Sequence, residues 1–146
     1  IKSKSSRAKV PTPPPARPRR TVPGMKRFGK PNCPTCPYIQ TGNIFKATAT
    51  NYKVDLDREM DCNTRNIIYA ISCNLDRCGQ QYIGQTGRSL RDRFSQHCNY
   101  VDRNMEATGR HFNLPGHQKS DMCLTICEKV HSNNVWVREE IESKHI

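Results

Sequence analysis

The chain predicts an α/β fold, a small three-stranded mixed or antiparallel sheet flanked by helices, preceded by a cysteine-rich knuckle and a basic arm. Three observations carry that prediction. Ile67, Tyr69 and Ile71 alternate with Ile68, Ala70 and Ser72, the pattern of a strand buried on both faces. Beyond a loop at Gly79, Gln81–Gly84 reads as a second strand, which makes a hairpin. Leu90, Phe94, His97 and Val101 then recur at helical spacing on one face.

Taken in order, residues 1–31 hold ten of the 24 Lys/Arg, seven of the ten prolines and no acidic residue. Such a segment buries too little apolar surface to offset its ordering entropy, so a disordered, extended linker is expected. The remainder of the chain carries 14 basic against 13 acidic residues, so all but one of the net +11 charges belong to the arm. A basic arm attracts polyanions by counterion release, and a plain solvated linker explains it as well. Its Arg/Lys clusters also suit nuclear import.

Residues 32–64 open on Cys33-Pro34-Thr35-Cys36, turn at Gly42-Asn43, alternate at Tyr52, Val54 and Leu56, and close on Cys62. A small β-rich knuckle is expected there. Residues 65–146 form the main domain. Ser89 reads as a helix N-cap with Asp92 three positions on. Pro115-Gly116 interrupts a second helical or irregular stretch, Met122, Leu124 and Ile126 mark a third strand, and Val135–Ile146 a last helix. The chain begins at Ile1 and ends in a helical pattern, so it is expected to be a piece of something longer. No run of 18 apolar residues occurs, which argues against a membrane span.

Eight cysteines allow four disulfides or metal ligation. The N-terminus lacks the apolar core of a secretory signal, and Cys-x-x-Cys accompanies histidines. Reduced thiols and zinc are therefore favoured. Cys73, Cys78, His111 and His117 supply two thiolates and two imidazoles, a closed structural zinc set, although ordinary loop histidines would look the same. Cys33, Cys36 and Cys62 are one ligand short of a second site. Cys98, Cys123, Cys127 or His131 would complete it, while Cys123 and Cys127 also read as small buried hydrophobes.

Tyr69 and Tyr82 fall on adjacent strands, where amphipathic strand packing accounts for either one alone. Arg93 and His97 lie one turn apart beside an apolar stripe, where the guanidinium needs an anion: a phosphate or a structural carboxylate. Glu139, Glu140 and Glu142 cluster near the end, and Arg138–Glu142 at four-residue spacing reads as a surface ion pair.

The order Tyr69, Tyr82-Ile83-Gly84, Arg93, His97 and Glu142 resembles the GIY-YIG endonuclease family over Ile67–Ile146, a little over half the chain. Tyr69 matches the tyrosine of the first motif, Tyr82 and Gly84 the second motif, and Arg93 the helix arginine. Glu142-Ser143-Lys144-His145-Ile146 matches the second half of the last-helix motif. Ile67 stands where the family opens on glycine, and His145 where tryptophan is frequent. The resemblance implies hydrolysis of DNA phosphodiesters with one Mg²⁺ or Mn²⁺ held by Glu142. It makes Tyr69 the general base, Tyr82 and His97 its positioning or relay groups, and Arg93 the phosphate clamp. The paired thiols at Cys73 and Cys78, with His111 to His117 downstream, resemble more narrowly the endonuclease domain of Penelope-like retroelements. That likeness extends upstream through Cys33, Cys36 and Cys62. It implies structural Zn²⁺, a nuclear DNA target nicked to leave a priming 3′-hydroxyl, and a reverse transcriptase domain in the full-length protein. A zinc-stabilised nucleic-acid-binding module without catalysis, and a structure-specific repair nuclease, are the alternatives. Oligomeric state stays open.

Overall fold

The computed structural model describes residues 22–27, 32–131 and 135–145. Most of the basic arm, residues 1–21 and 28–31, lies outside them, and the expectation of disorder there goes with it.

The elements run β1 (Gly24–Met25), a 3₁₀ turn at Cys36–Tyr38, β2 (Ile44–Lys46), β3 (Lys53–Asp55), β4 (Glu59–Met60), β5 (Arg65–Cys73) and β6 (Gln81–Ser89). After them come α1 (Leu90–Arg103), α2 (Glu106–His111), β7 (Met122–Lys129) and α3 (Val135–His145). The main sheet has the order β6-β5-β7 and is antiparallel throughout, which resolves the mixed-or-antiparallel expectation. Two small pairs accompany it, β1 with β4 in parallel and the hairpin β2–β3.

Central strand β5 is buried almost from end to end, as its unbroken apolar run requires. Edge strand β6 reaches Ser89, five residues past the expected Gly84. Thr86, Gly87 and Arg88 carry no alternating apolar signal, so pairing with the start of β5 extends the strand without a pattern. Ser89 caps α1 by accepting from the Asp92 N–H at 3.2 Å. The helix ends at Asn104, whose left-handed φ of 52° lets its N–H return to the last turn. Short α2 packs closely on α1 because residue 109 is glycine; a Cβ there would strike the Tyr100 carbonyl.

Alternation along the hairpin gives the sheet two faces. Tyr69, paired with Gly84, and Ile71, paired with Tyr82, face α1. Gln85, one residue on from Gly84, faces α3. Arg138 of α3 is buried there. Its Nε donates to Gln85 Oε1 at 2.7 Å and its Nη1 to Asn66 Oδ1 at 2.9 Å. The surface ion pair expected of Arg138 is thus replaced by an inward clamp that fixes the last helix on the hairpin.

A single hydrophobic cluster runs from Met25 through Phe45, Leu56, Met60 and Cys62 to Ile67, Phe94, Phe112, Ile126 and Val130. Met25, expected to belong to the free arm, joins it at 3 % exposure, and its neighbour Lys26 pairs with Glu59. Burying one methionine contributes about 1.5–3 kcal/mol, enough to hold a two-residue strand in place. The knuckle segment is fastened to the main sheet where the Gln40 N–H donates to the Leu124 carbonyl at 2.8 Å. Among the described residues no helix is long and apolar enough to cross a membrane.

Candidate active site and metal centres

On the α1 face of the hairpin, four side chains form a hydrogen-bonded chain. The Tyr69 hydroxyl lies 2.7 Å from His97 Nε2 and 2.9 Å from Arg93 Nε, and His97 Nδ1 lies 2.9 Å from Thr108 Oγ1. Arg93 Nε–H donates to the phenolic oxygen. A phenolic proton turned to His97 Nε2, with the ring proton on Nδ1 turned to Thr108 Oγ1, is an assignment that satisfies all three contacts. Burial, then the Arg93 charge, lowers the His97 pKa to about 4, which keeps the ring neutral as this wiring demands. Burial raises the Tyr69 phenol above its ordinary value, the Arg93 guanidinium opposes that, and the Glu142 carboxylate adds to it.

Why Tyr69 reaches so far is explained by Gly84. The tyrosine ring lies across the edge strand, and a Cβ at residue 84 would sit 2.5 Å from its hydroxyl. The hydroxyl thereby opens onto a groove of about 190 Å³ shared with Tyr82, Arg93, His97, Tyr100 and Glu106. Glu106 adopts a left-handed φ of 58° at the start of α2, a strained backbone for a non-glycine residue. Glu142 comes from α3 and is not among the residues that line the groove. Its pKa is raised by burial, then by Glu139, and lowered by Arg93, which puts it within electrostatic reach of the guanidinium.

The sequence-predicted residues Tyr69, Arg93 and His97 are thus in direct contact, with Tyr82 lining the same groove and Glu142 within electrostatic reach. The Tyr82 ring also meets His111 edge-on at a centroid distance of 5.6 Å, and its phenol is pushed up by burial and by Cys78 and Cys73. Thr108, Tyr100 and Gln96, whose Oε1 accepts from Arg93 Nη1 at 2.6 Å, escaped sequence reading. Thr108 had one usable signal, the adjacent Gly109 that lets α2 close onto α1. Gln96 and Tyr100 lie three and seven residues from Arg93, on its helical surface.

At the other end of the hairpin, Cys73, Cys78, His111 and His117 bring their ligand atoms within 4.8 Å of one another. Cys78 Sγ lies 3.4 Å from His111 Nε2. His117 Nδ1 donates to the Pro115 carbonyl at 3.2 Å, which leaves the Nε2 lone pair directed at the cluster. Attraction to the Cys78 sulfur raises the His117 pKa, yet Nε2 is sealed from solvent with no hydrogen bond of acceptable geometry. A tetrahedral zinc ion sets such ligand atoms roughly 3.4–3.8 Å apart, a small contraction from this arrangement. Two thiols, two imidazoles and a buried unpaired nitrogen fit a metal such as zinc.

A second group, Cys33, Cys36 and Cys62, is equally compact. Cys33 and Cys62 lie 3.6 Å apart, and Cys36 and Cys62 4.0 Å apart. Burial and the neighbouring thiols push Cys62 up to about 12, a cost that a bound cation would reverse. Among the described residues the group stops at three. None of the expected fourth ligands joins it. Cys123 contacts Gln40, His131 contacts Arg58 at 3.0 Å, Cys127 is buried, and Cys98 sits on α1 with its pKa raised by burial. No disulfide joins the cysteines among the described residues.

No protein-family model, no curated protein and no solved structure matches this chain.

Proposed function

We propose that the chain is a divalent-metal-dependent DNA endonuclease of the GIY-YIG type. The observation that carries this reading is the Tyr69 hydroxyl held between Arg93 Nε and His97 Nε2. Tyr69 takes a proton from the attacking water as its own proton moves to His97 Nε2. Arg93, 2.9 Å away, stabilises the phenolate character that develops. The guanidinium has five N–H donors, and those not turned to Tyr69 and Gln96 can meet a non-bridging phosphate oxygen. The new P–O bond forms from water, the bond to the 3′-oxygen breaks, and that oxygen takes up a proton from solvent.

Glu142 would hold the Mg²⁺ or Mn²⁺ ion, which supplies charge stabilisation at the phosphate. A half-buried carboxylate with its pKa raised by burial and by Glu139 suits a cation that restores its anionic form. The two thiol clusters would be structural zinc sites, the three-thiol group with a fourth ligand from outside this chain, since the residues beyond the described ones include no Cys, His, Asp or Glu. Nicking for retroelement integration, a reverse transcriptase neighbour and a nuclear location follow from the likeness to Penelope-like endonuclease domains.

Incubation with supercoiled plasmid and Mg²⁺ tests the reading. The intact chain should convert it to the nicked form. Glu142→Gln should bind DNA but cut at least about 10²-fold more slowly. Arg93→Lys should lose most cutting, since a point charge cannot replace the planar fork. Binding without cutting by the intact chain would leave a zinc-stabilised binding module. Preferred cutting of flaps over plain duplex would point to a repair role.

A further inference from the structure

The catalytic groove is not the only opening on edge strand β6. A cavity of about 500 Å³ lies beneath the β2–β3 hairpin, between the loop at residues 47–50, Gly79–Gln81 and the end of α3. Its walls include Tyr52, His145, Tyr82 and Ile83, and the last two also line the groove at Tyr69. The two openings therefore share a wall.

Their chemistry differs. The groove presents the Arg93 guanidinium and the Glu106 carboxylate, whereas the cavity is lined by no Asp, Glu, Lys or Arg. A phosphate has nothing there to neutralise it. A flat, neutral heterocycle with hydrogen-bonding edges does fit. Tyr52 offers a ring 39 % exposed, Gln80 and the 47–50 loop offer polar edges, and the volume lies within the roughly 300–1,000 Å³ of small-ligand sites. The ring is also held still. Its hydroxyl lies 3.1 Å from His145 Nδ1, and His145 Nε2 lies 3.0 Å from Glu128 Oε2. A clamped aromatic face loses little entropy when a base stacks on it.

We propose that this cavity receives one unstacked nucleobase of the DNA strand whose phosphate occupies the Arg93 groove, with Tyr52 as the stacking platform. This rests on the nuclease reading, since that reading puts DNA in the groove. It makes the substrate a strand already single-stranded, or opened, beside the cut.

The test uses a short single-stranded oligonucleotide carrying 2-aminopurine, with binding read by anisotropy and stacking by loss of fluorescence. The intact chain should bind and quench. Tyr52→Phe keeps the face and loses only the bond to His145, so it should still quench. Tyr52→Leu should lose the quenching and bind about tenfold more weakly. Ala49→Leu, which fills the cavity from an exposed position and removes no contact, should also lose the quenching. Equal quenching by Tyr52→Leu and Ala49→Leu, or binding by the intact chain without quenching, overturns the subsite. Plasmid nicking run in parallel separates the two ideas. Nicking without quenching removes the subsite alone, and quenching without nicking removes the nuclease reading alone.

Discussion

The two polar centres on the α1 side of the hairpin differ in what completes them. Around Tyr69, the phenol, His97 and Thr108 are matched donor to acceptor with Arg93. Around Cys78, two thiols and two imidazoles crowd together and His117 Nε2 is buried unpaired. The first centre is satisfied by the protein itself and is therefore rigid before any ligand arrives. The second has the ligand set that could hold a cation. They are joined by one six-residue helix, α2, which contributes Thr108 to the first and His111 to the second, three residues apart. A metal held at one end of α2 would thus bear on a hydrogen bond at the other.

The largest expected effect comes from removing the cation. Cys78→Ser should cost on the order of 5–10 kcal/mol, since structural zinc supplies folding free energy directly. Metal analysis should find one zinc fewer per chain than in the intact protein, and urea unfolding should shift accordingly. Unchanged zinc content and unchanged unfolding would end the contrast between a self-sufficient and a metal-completed centre.

Acid distinguishes the centres next. His97 has its folded pKa lowered to about 4 against an ordinary 6.5, so the unfolded chain binds protons first. Its contribution is complete above about pH 6.5 and is lost as the pH falls through 4, amounting to about 3 kcal/mol. The thiol cluster responds to acid by releasing metal, because its ligands must be deprotonated. A zinc-sensitive dye therefore reports one centre and urea unfolding of a His97→Gln variant the other. That variant should show a flatter decline between pH 6.5 and 4. An identical slope would mean that His97 does not titrate between the folded and unfolded states as its burial requires.

What the sequence revealed divides along the same physical line. β5, the α1 face and the cap at Ser89 were legible, because burial period and capping chemistry are local. The Cys73/Cys78/His111/His117 set was legible because thiols and imidazoles have few other reasons to accumulate. The inward turn of Arg138 was not legible. At four-residue spacing from Glu142 it looks like a surface pair, and only the packing of α3 on Gln85 and Asn66 decides otherwise. The second half of β6 was hidden because Thr86-Gly87-Arg88 has no apolar alternation. Gly84 was visible as part of a motif, but its reason was not. It is the absent Cβ that lets Tyr69 reach the edge of the sheet.

The smallest expected effect examines the link itself. Thr108→Val removes the acceptor for His97 Nδ1–H and leaves a buried donor unmatched, at a cost of about 1–3 kcal/mol. With the acceptor gone, one of the two contacts that favour a proton on Nδ1 is lost, and only the Tyr69 hydroxyl at Nε2 remains. Ring ¹⁵N shifts should then show a mixture of tautomers where the intact protein shows one. Stripping zinc from the intact chain should produce the same mixture, because α2 is no longer held at His111. If the ring keeps a single tautomer after zinc is removed, α2 does not couple the two centres, and each must be understood alone.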